Sequence, residues 1–277
     1  MSALAARIDW SLPPGGRLKT GTQEETLDLL IGDWWIWQLK RGHRFSSDDF
    51  VTAWVAARAN PQATRLLDLG SGVGSVGLMT LWNMQETATL RSVEVQQLSF
   101  DLAERTIKHN GLQERVELVL GDIRDASVVG ETAGYDLVTG SPPYFPLGTG
   151  VVSPHPQRAA ARMELHGCVF AYCRAGARSL SENGRFVFCH SAQDDRPEQA
   201  IDAAGLKLLG RQDVVFGESQ APMISVFECA WSGDTSSPKP LQVRDAQGKW
   251  TEEYQRVRRD MGIVDSNQHH AGLNRPD

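Results

Sequence analysis

Residues 64–74 read Thr-Arg-Leu-Leu-Asp-Leu-Gly-Ser-Gly-Val-Gly. A short apolar run closed by glycines predicts a buried parallel strand over 64–69, turning sharply into a helix. Glycine lets the backbone bend tightly and approach a ligand closely, and the helix that follows presents its N-terminus at the same spot. The spacing Gly70-Gly72-Gly74 departs from the GxGxxG pattern that cradles a dinucleotide pyrophosphate.

Working outward, further strands are predicted at 90–95, 116–120, 135–139 and 185–189. Helices are predicted at 74–82, 97–109 and 158–180. Alternation of this kind implies right-handed crossovers and an α/β, doubly wound, mostly parallel sheet. Residues 205–216 and 222–231 read as two strands with a short loop between them, hence an antiparallel hairpin at the sheet edge. Ahead of the sheet, 33–45 predicts a β-hairpin with its turn near Gly42. The segment 50–59 predicts a helix with Ser46 or Ser47 as N-cap. Composition makes 233–240 a linker and 265–277 a disordered end. The expected division is an N-terminal extension over 1–45, a main domain over 46–232, and a linker with C-terminal extension over 233–277.

With 277 residues and 41% apolar content, the chain can bury one sizeable core. No apolar run reaches membrane-spanning length, and residues 1–10 lack the basic region and apolar core of a signal peptide, so a cytoplasmic location is expected. The four cysteines, Cys168, Cys173, Cys189 and Cys229, form no CxxC pair and no zinc-ligand spacing, so no metal is expected. A net charge of −6 and a pI near 5.7 exclude a uniformly basic nucleic-acid binder. A polyanion would have to meet a local basic patch. Lys40, Arg41, His43, Arg44, Arg158, Arg162, Arg256, Arg258 and Arg259 are the candidates.

Glu94 closes the second strand about twenty residues after the glycines, where an acid can accept both hydroxyls of a ribose. Asp122, in Gly121-Asp122-Ile123, follows the third strand, where a carboxylate can accept from an adenine amine with Ile123 against the ring. Ligands bind at strand C-termini in open α/β sheets, which ties the two acids together. After the fourth strand comes Ser141-Pro142-Pro143-Tyr144. A diproline is rigid and has no N–H to donate, so its carbonyls remain free to accept. Ser141 adds a side-chain acceptor, and Tyr144 a flat face for stacking. That setting suits a planar NH2 group: two acceptors hold its hydrogens and draw the nitrogen lone pair out of conjugation.

The Ser141-Pro142-Pro143-Tyr144 stretch resembles the (Asn/Asp/Ser)-Pro-Pro-(Tyr/Phe) motif of amino-group methyltransferases acting on adenine, cytosine or glutamine amide. Glu25-Thr26-Leu27-Asp28 and the run from Ile36 to Asp48 are similar to the N-terminal signature of bacterial valine-tRNA adenine-N6 methyltransferases. Ala161-Arg162-Met163-Glu164 falls where that family has Ala-Arg-His-Glu. Pro240-Leu241-Gln242-Val243-Arg244-Asp245 and Trp250-Thr251-Glu252-Glu253-Tyr254 resemble its closing segment. The resemblance implies a Rossmann-like class I methyltransferase fold, a seven-stranded sheet with an antiparallel edge hairpin, and S-adenosylmethionine as cofactor. It implies an adenine N6 amine in RNA, a tRNA in particular, as substrate. It places Asp68 toward the methionine ammonium, with Gly70, Gly72, Glu94, Asp122 and Ile123 around the cofactor. Phe45, Ser46 and Asp48 close the methionine end, and Ser141, Pro142, Pro143 and Tyr144 hold the target amine. The family has Asn where Ser141 stands, and His where Met163 stands. Two other readings share the core motifs: a protein glutamine-amide N5 methyltransferase, and a non-catalytic RNA-binding member of the fold. The tryptophan-rich stretch before the core argues against the first, and the intact glycines and acids against the second.

Overall fold

A computed structural model describes residues 24–129, 134–149, 152–218 and 220–263. In chain order the elements are β1 (Glu25–Ile31), β2 (Trp34–Leu39), α1 (Ser47–Ala59), β3 (Arg65–Leu69), α2 (Ser75–Trp82), β4 (Thr89–Glu94), α3 (Gln97–His109) and β5 (Val116–Leu120). There follow α4 (Ala126–Val129), β6 (Tyr135–Gly140), α5 (Pro156–Arg162), α6 (Val169–Ser179), β7 (Leu180–Ser191), α7 (Arg196–Ala203), β8 (Lys207–Val215), β9 (Ile224–Ala230), β10 (Leu241–Gln242) and α8 (Glu252–Asp260).

The main sheet has the order β10-β8-β9-β7-β6-β3-β4-β5. The pairs β5–β4, β4–β3, β3–β6 and β6–β7 are parallel, while β9 runs antiparallel to both β7 and β8. Helices cover both faces, which explains why β3 is a nearly continuous apolar run. The chain winds outward through β3, β4 and β5, then crosses back to β6 and β7. The switch point therefore lies between β3 and β6, where Leu69 pairs with Gly140. Crevices for ligands form outside the strand C-termini at such a point.

Three expectations need correction. The sheet has eight strands, because the segment after 233 adds β10 beside β8 and packs α8 against α1. The β8–β9 pair consequently sits one strand in from the edge. The helix expected over 158–180 is two helices. Met163 leaves helical geometry and forms a bridge with Phe145, whose N–H donates to the Arg162 carbonyl at 3.1 Å while the Glu164 N–H donates to the Phe145 carbonyl at 3.0 Å. The front hairpin turns at Gly32-Asp33, with Gly32 at φ +55°, and not near Gly42. Gly42 answers a different demand: a Cβ there would overlap Gln157 Oε1. The expected N-terminal segment 1–23 and disordered end 265–277 lie outside the described residues.

The β1–β2 hairpin is bolted to α3. The Trp37 N–H donates to Thr106 Oγ1 at 2.9 Å, Asn110 bonds both backbone groups of Trp35, and Arg105 lies over the Trp37 ring at 4.2 Å. Among the described residues no helix is long and apolar enough to cross a membrane.

Candidate active site

The register of the sheet brings two loops side by side. Leu69 and Gly140 are paired partners, so the glycine turn at 70–74 and the Ser141 loop leave the sheet together. Leu69 is also paired with Val93, which sets Glu94 at the same end. A cleft of about 1340 Å³ opens there. It is lined by Phe45, Ser46, Asp48, Asp68, Gly70, Gly72, Glu94, Ile123, Ser141, Pro142, Pro143 and Tyr144. Of the residues expected at the site, Asp122 alone is missing from this lining. Its carboxylate is held by the Arg124 guanidinium and backbone N–H, and those hydrogen bonds keep it below the usual carboxylate range despite partial burial. Its neighbours Gly121 and Ile123 do face the cleft.

The glycine turn is positive in φ at Gly70, Gly72 and Gly74. Gly72 meets nothing within 4 Å on its Cβ side, whereas a Cβ on Gly70 would overlap the Tyr172 hydroxyl. Gly70 thus admits Tyr172 beneath the turn, and Gly72 leaves room above it. Glu94 is buried and holds this turn: its two oxygens accept from the Gly72 N–H and the Gln96 N–H, each at 2.7 Å. Each carboxylate oxygen keeps a further lone pair for a ligand hydroxyl. Asp68 is tied into the fold by both oxygens. One oxygen accepts from Thr139 at 2.7 Å and the other from the Gly77 N–H at 3.0 Å, so it fastens α2 to the sheet while bordering the cleft.

The cleft carries buried acids. Burial pushes Glu94 up to about 7 and Asp68 up to about 6. Asp49 rises to about 7, by burial first and then by the neighbouring Asp48. Buried carboxylates held this way favour a cation in their midst. Ser71 Oγ, also lining the cleft, is buried with no hydrogen-bond partner. An unpartnered buried hydroxyl, an open Gly72 and a cluster of acids fit a ligand bearing an ammonium, a carboxylate and a ribose.

The Ser141 loop is anchored from below. Tyr144 donates its hydroxyl to Asp48 Oδ2 at 3.1 Å, and its ring packs on buried His190 with centroids 5.0 Å apart. Burial, followed by the opposing pulls of Asp194 and Arg196, leaves His190 at about 4 and therefore neutral near pH 7. Arg196 donates to the Tyr144 carbonyl at 3.2 Å while paired with Asp194 and Glu164, each at 2.5 Å. The signature loop at 42–48 is clamped by Gln157, which accepts the His43 N–H at 3.0 Å and donates to Ser99 at 3.1 Å. Arg158 donates to the Arg41 and Gly42 carbonyls. Gln157, Tyr172, His190 and Arg196 were not visible as site residues, because single polar or aromatic residues within helices or strands carry no motif. Glu164, within a stretch that was singled out, gains a role from Arg196. Met163 is buried.

The basic candidates divide. His43, Arg44, Arg158 and Arg162 border the cleft, whereas Lys40, Arg41, Arg256, Arg258 and Arg259 are outside its lining. Arg44 is paired with Asp28 at 3.0 Å, and Arg162 lies over the exposed Phe145 ring at 5.4 Å.

A switch-point crevice formed by a glycine turn, an acid after the next strand and a Pro-Pro loop after the fourth defines a class by its fold: a Rossmann-like sheet of the kind found in methyltransferases. More particularly, residues 46–153 match the Methyltransferase small domain family. Among curated proteins, the tRNA1(Val) (adenine(37)-N6)-methyltransferase of Citrobacter koseri is 31% identical over 57% of this chain and 64% of its own length. The chain thus spans just under two thirds of that relative. The Haemophilus influenzae protein of the same name is 24% identical over 70% of this chain and 82% of its own. Among solved structures, a predicted O-methyltransferase from Agrobacterium tumefaciens superposes with a TM-score of 0.59 at 15% identity, covering 78% of this chain and 98% of that one. That last likeness establishes the fold alone.

Proposed function

We propose that this protein transfers a methyl group from S-adenosylmethionine to the exocyclic N6 amine of an adenine in RNA, a tRNA being the favoured substrate. The observation that carries this reading is the Ser141-Pro142-Pro143-Tyr144 loop standing one strand from the glycine turn and opening into the same cleft. Relatives named for adenine-N6 methylation of a valine tRNA point the same way.

In this reading Glu94 accepts the ribose hydroxyls, Ser71 and the N–H groups of the glycine turn meet the amino-acid end, and the buried acids balance positive charge. Phe45, Ser46 and Asp48 wall off the methionine end, and Ile123 packs on the adenine. Asp68 acts through α2, and Asp122 stands outside. When bound, the cofactor supplies an electrophilic methyl group on a cationic sulfur. Ser141 Oγ and the Pro142 carbonyl accept the two hydrogens of the target amine, and the nitrogen lone pair turns out of conjugation toward that methyl. Held in that way, the amine would be free to take the methyl from sulfur, and its surplus proton would leave to water. No base is required, since the product cation is strongly acidic.

Phe145, 40% exposed in the cleft beside Arg162, and Met223, 59% exposed, offer apolar surface to an unstacked base. Arg158 and Arg162 supply local positive charge on α5 that the acidic whole lacks. The test is incubation with labelled cofactor and tRNA, followed by nucleoside mass spectrometry. N6-methyladenosine is the expected product; label in protein and not RNA would replace this reading with the amide one.

A further inference from the structure

Cys189 is fully buried on β7, outside the cleft lining, yet it touches the loop that carries the chemistry. Its Sγ lies 3.2 Å from Ser141 Oγ and 3.3 Å from the Tyr144 hydroxyl. Tyr144 in turn reaches Asp48 Oδ2 at 3.1 Å. The Thr52 hydroxyl also lies against the thiol, but donates its proton to the Asp48 carbonyl at 2.6 Å.

Proton counting sets the direction of this chain. The Tyr144 O–H donates to Asp48 Oδ2. Thr52 has spent its proton. Thr52 therefore cannot donate to sulfur and keeps a lone pair to receive from it, whereas the Tyr144 hydroxyl is placed as a donor toward the sulfur as well as toward Asp48. Burial pushes the Cys189 thiol up to about 12, so the S–H is present at neutral pH. Given to Thr52, it leaves the sulfur as an acceptor, and Ser141 is a neighbour with a proton to give. The opposite orientation, S–H toward Ser141, makes one internal hydrogen bond fewer.

We propose that Cys189 is a positioning residue: its sulfur, set among Ser141, Thr52 and Tyr144, draws the Ser141 proton inward and leaves Ser141 Oγ facing the cleft as a pure acceptor for the target amine. This rests on the amine-methylating reading above. A serine rotor can otherwise turn its proton toward the substrate nitrogen, occupying the lone pair that must attack. An asparagine at position 141 has no such ambiguity, since its carbonyl oxygen only accepts. Pairing a serine there with a thiol beneath it solves the same problem by other means.

The test compares Cys189→Ala and Cys189→Ser in the wild-type and Ser141→Asn backgrounds. Loss of one preorganised hydrogen-bond donor to a developing oxyanion costs about 10²–10³ in rate, and an acceptor that holds the attacking amine sets a comparable scale. With the Pro142 carbonyl retained, Cys189→Ala should lower kcat on tRNA about 10- to 100-fold and leave the affinity for S-adenosylhomocysteine within about twofold. Cys189→Ser, which can both donate and accept, should stay within about fivefold of wild type. In the Ser141→Asn background, Cys189→Ala should cost less than about threefold, because the rotor is gone. An equal loss in both backgrounds, or none in either, overturns the proposal and leaves Cys189 as packing. A readout without turnover separates this from failure of the functional reading. The infrared S–H stretch of Cys189, identified as the band lost in Cys189→Ser, should shift in Ser141→Ala and in Tyr144→Phe. An unshifted band overturns the chain even in an active enzyme. A shifted band in a protein that leaves RNA unmethylated keeps the chain and discards the substrate.

Discussion

Glu94 and Phe145 both line the cleft and make separable predictions. Glu94 fixes the glycine turn through the Gly72 and Gln96 N–H groups. Hydrogen bonds to a charged group contribute about 1.5–3 kcal/mol, so Glu94→Ala should weaken cofactor binding by roughly that amount. Calorimetry showing unchanged affinity would remove Glu94 from the site. Phe145 is 40% exposed and lines the cleft, with Arg162 over its ring. Base–aromatic stacking is worth about 1–3 kcal/mol, so Phe145→Ala should raise KM for RNA about 5- to 150-fold with cofactor affinity unmoved. This transfers to Phe145 a role the motif suggested for Tyr144, whose hydroxyl and ring are tied to Asp48 and His190. A KM that stays put would return it to Tyr144.

Elements turn these side chains into a site, and Gly42 shows how closely they approach. A Cβ at Gly42 would overlap Gln157 Oε1 and fall 2.7 Å from Leu39 Cβ. Overpacking typically costs about 1–3 kcal/mol, so Gly42→Ala should lower the urea midpoint accordingly and loosen the 42–48 loop over the cleft. Full stability in that variant would mean Gln157 has room to retreat. The same contact explains what sequence could and could not convey. The β3–glycine turn–α2 unit, Glu94 and the Ser141 loop were legible because each is local: a short apolar run followed by residues of restricted backbone or obvious chemistry. Gly42 was read as a turn because a local reading has no access to Gln157, 115 positions away in the chain. The break at Met163 was hidden likewise, since its cause is the backbone bridge to Phe145. Asp122 looked like its counterpart Glu94, but Arg124, two residues on, captures its carboxylate. Strand β10 is two residues long, too short for any periodicity, and exists because β8 offers a free edge.

At the scale of the whole molecule, charge is distributed against the average. The chain carries net charge −6, and Asp48, Asp49, Asp68 and Glu94 line the cleft together with Arg158 and Arg162. Asp68 at about 6, and Asp49 and Glu94 at about 7, lie above their unfolded values of 3.8 and 4.5. A raised acid binds more protons folded than unfolded between those limits, so these three groups make the free protein less stable as pH rises from about 4 to about 7. His190 opposes them: lowered from 6.5 to about 4, it adds stability as pH rises across that interval. Stability of the free protein is therefore a blunt readout, and ligand affinity a sharp one. S-adenosylmethionine carries one net positive charge, whereas S-adenosylhomocysteine, having lost the sulfonium, carries none. As the three acids ionise, the cationic ligand gains and the neutral one gains far less. Affinity for S-adenosylmethionine should rise about tenfold between about pH 5.5 and about pH 8, with affinity for S-adenosylhomocysteine nearly flat, a preference that would also speed product release. Near pH 7, binding of the cation should expel protons, seen as a binding enthalpy that varies with the ionisation enthalpy of the buffer. Equal pH dependence for the two ligands would show that the acids hold the shared ammonium alone and are blind to the sulfonium.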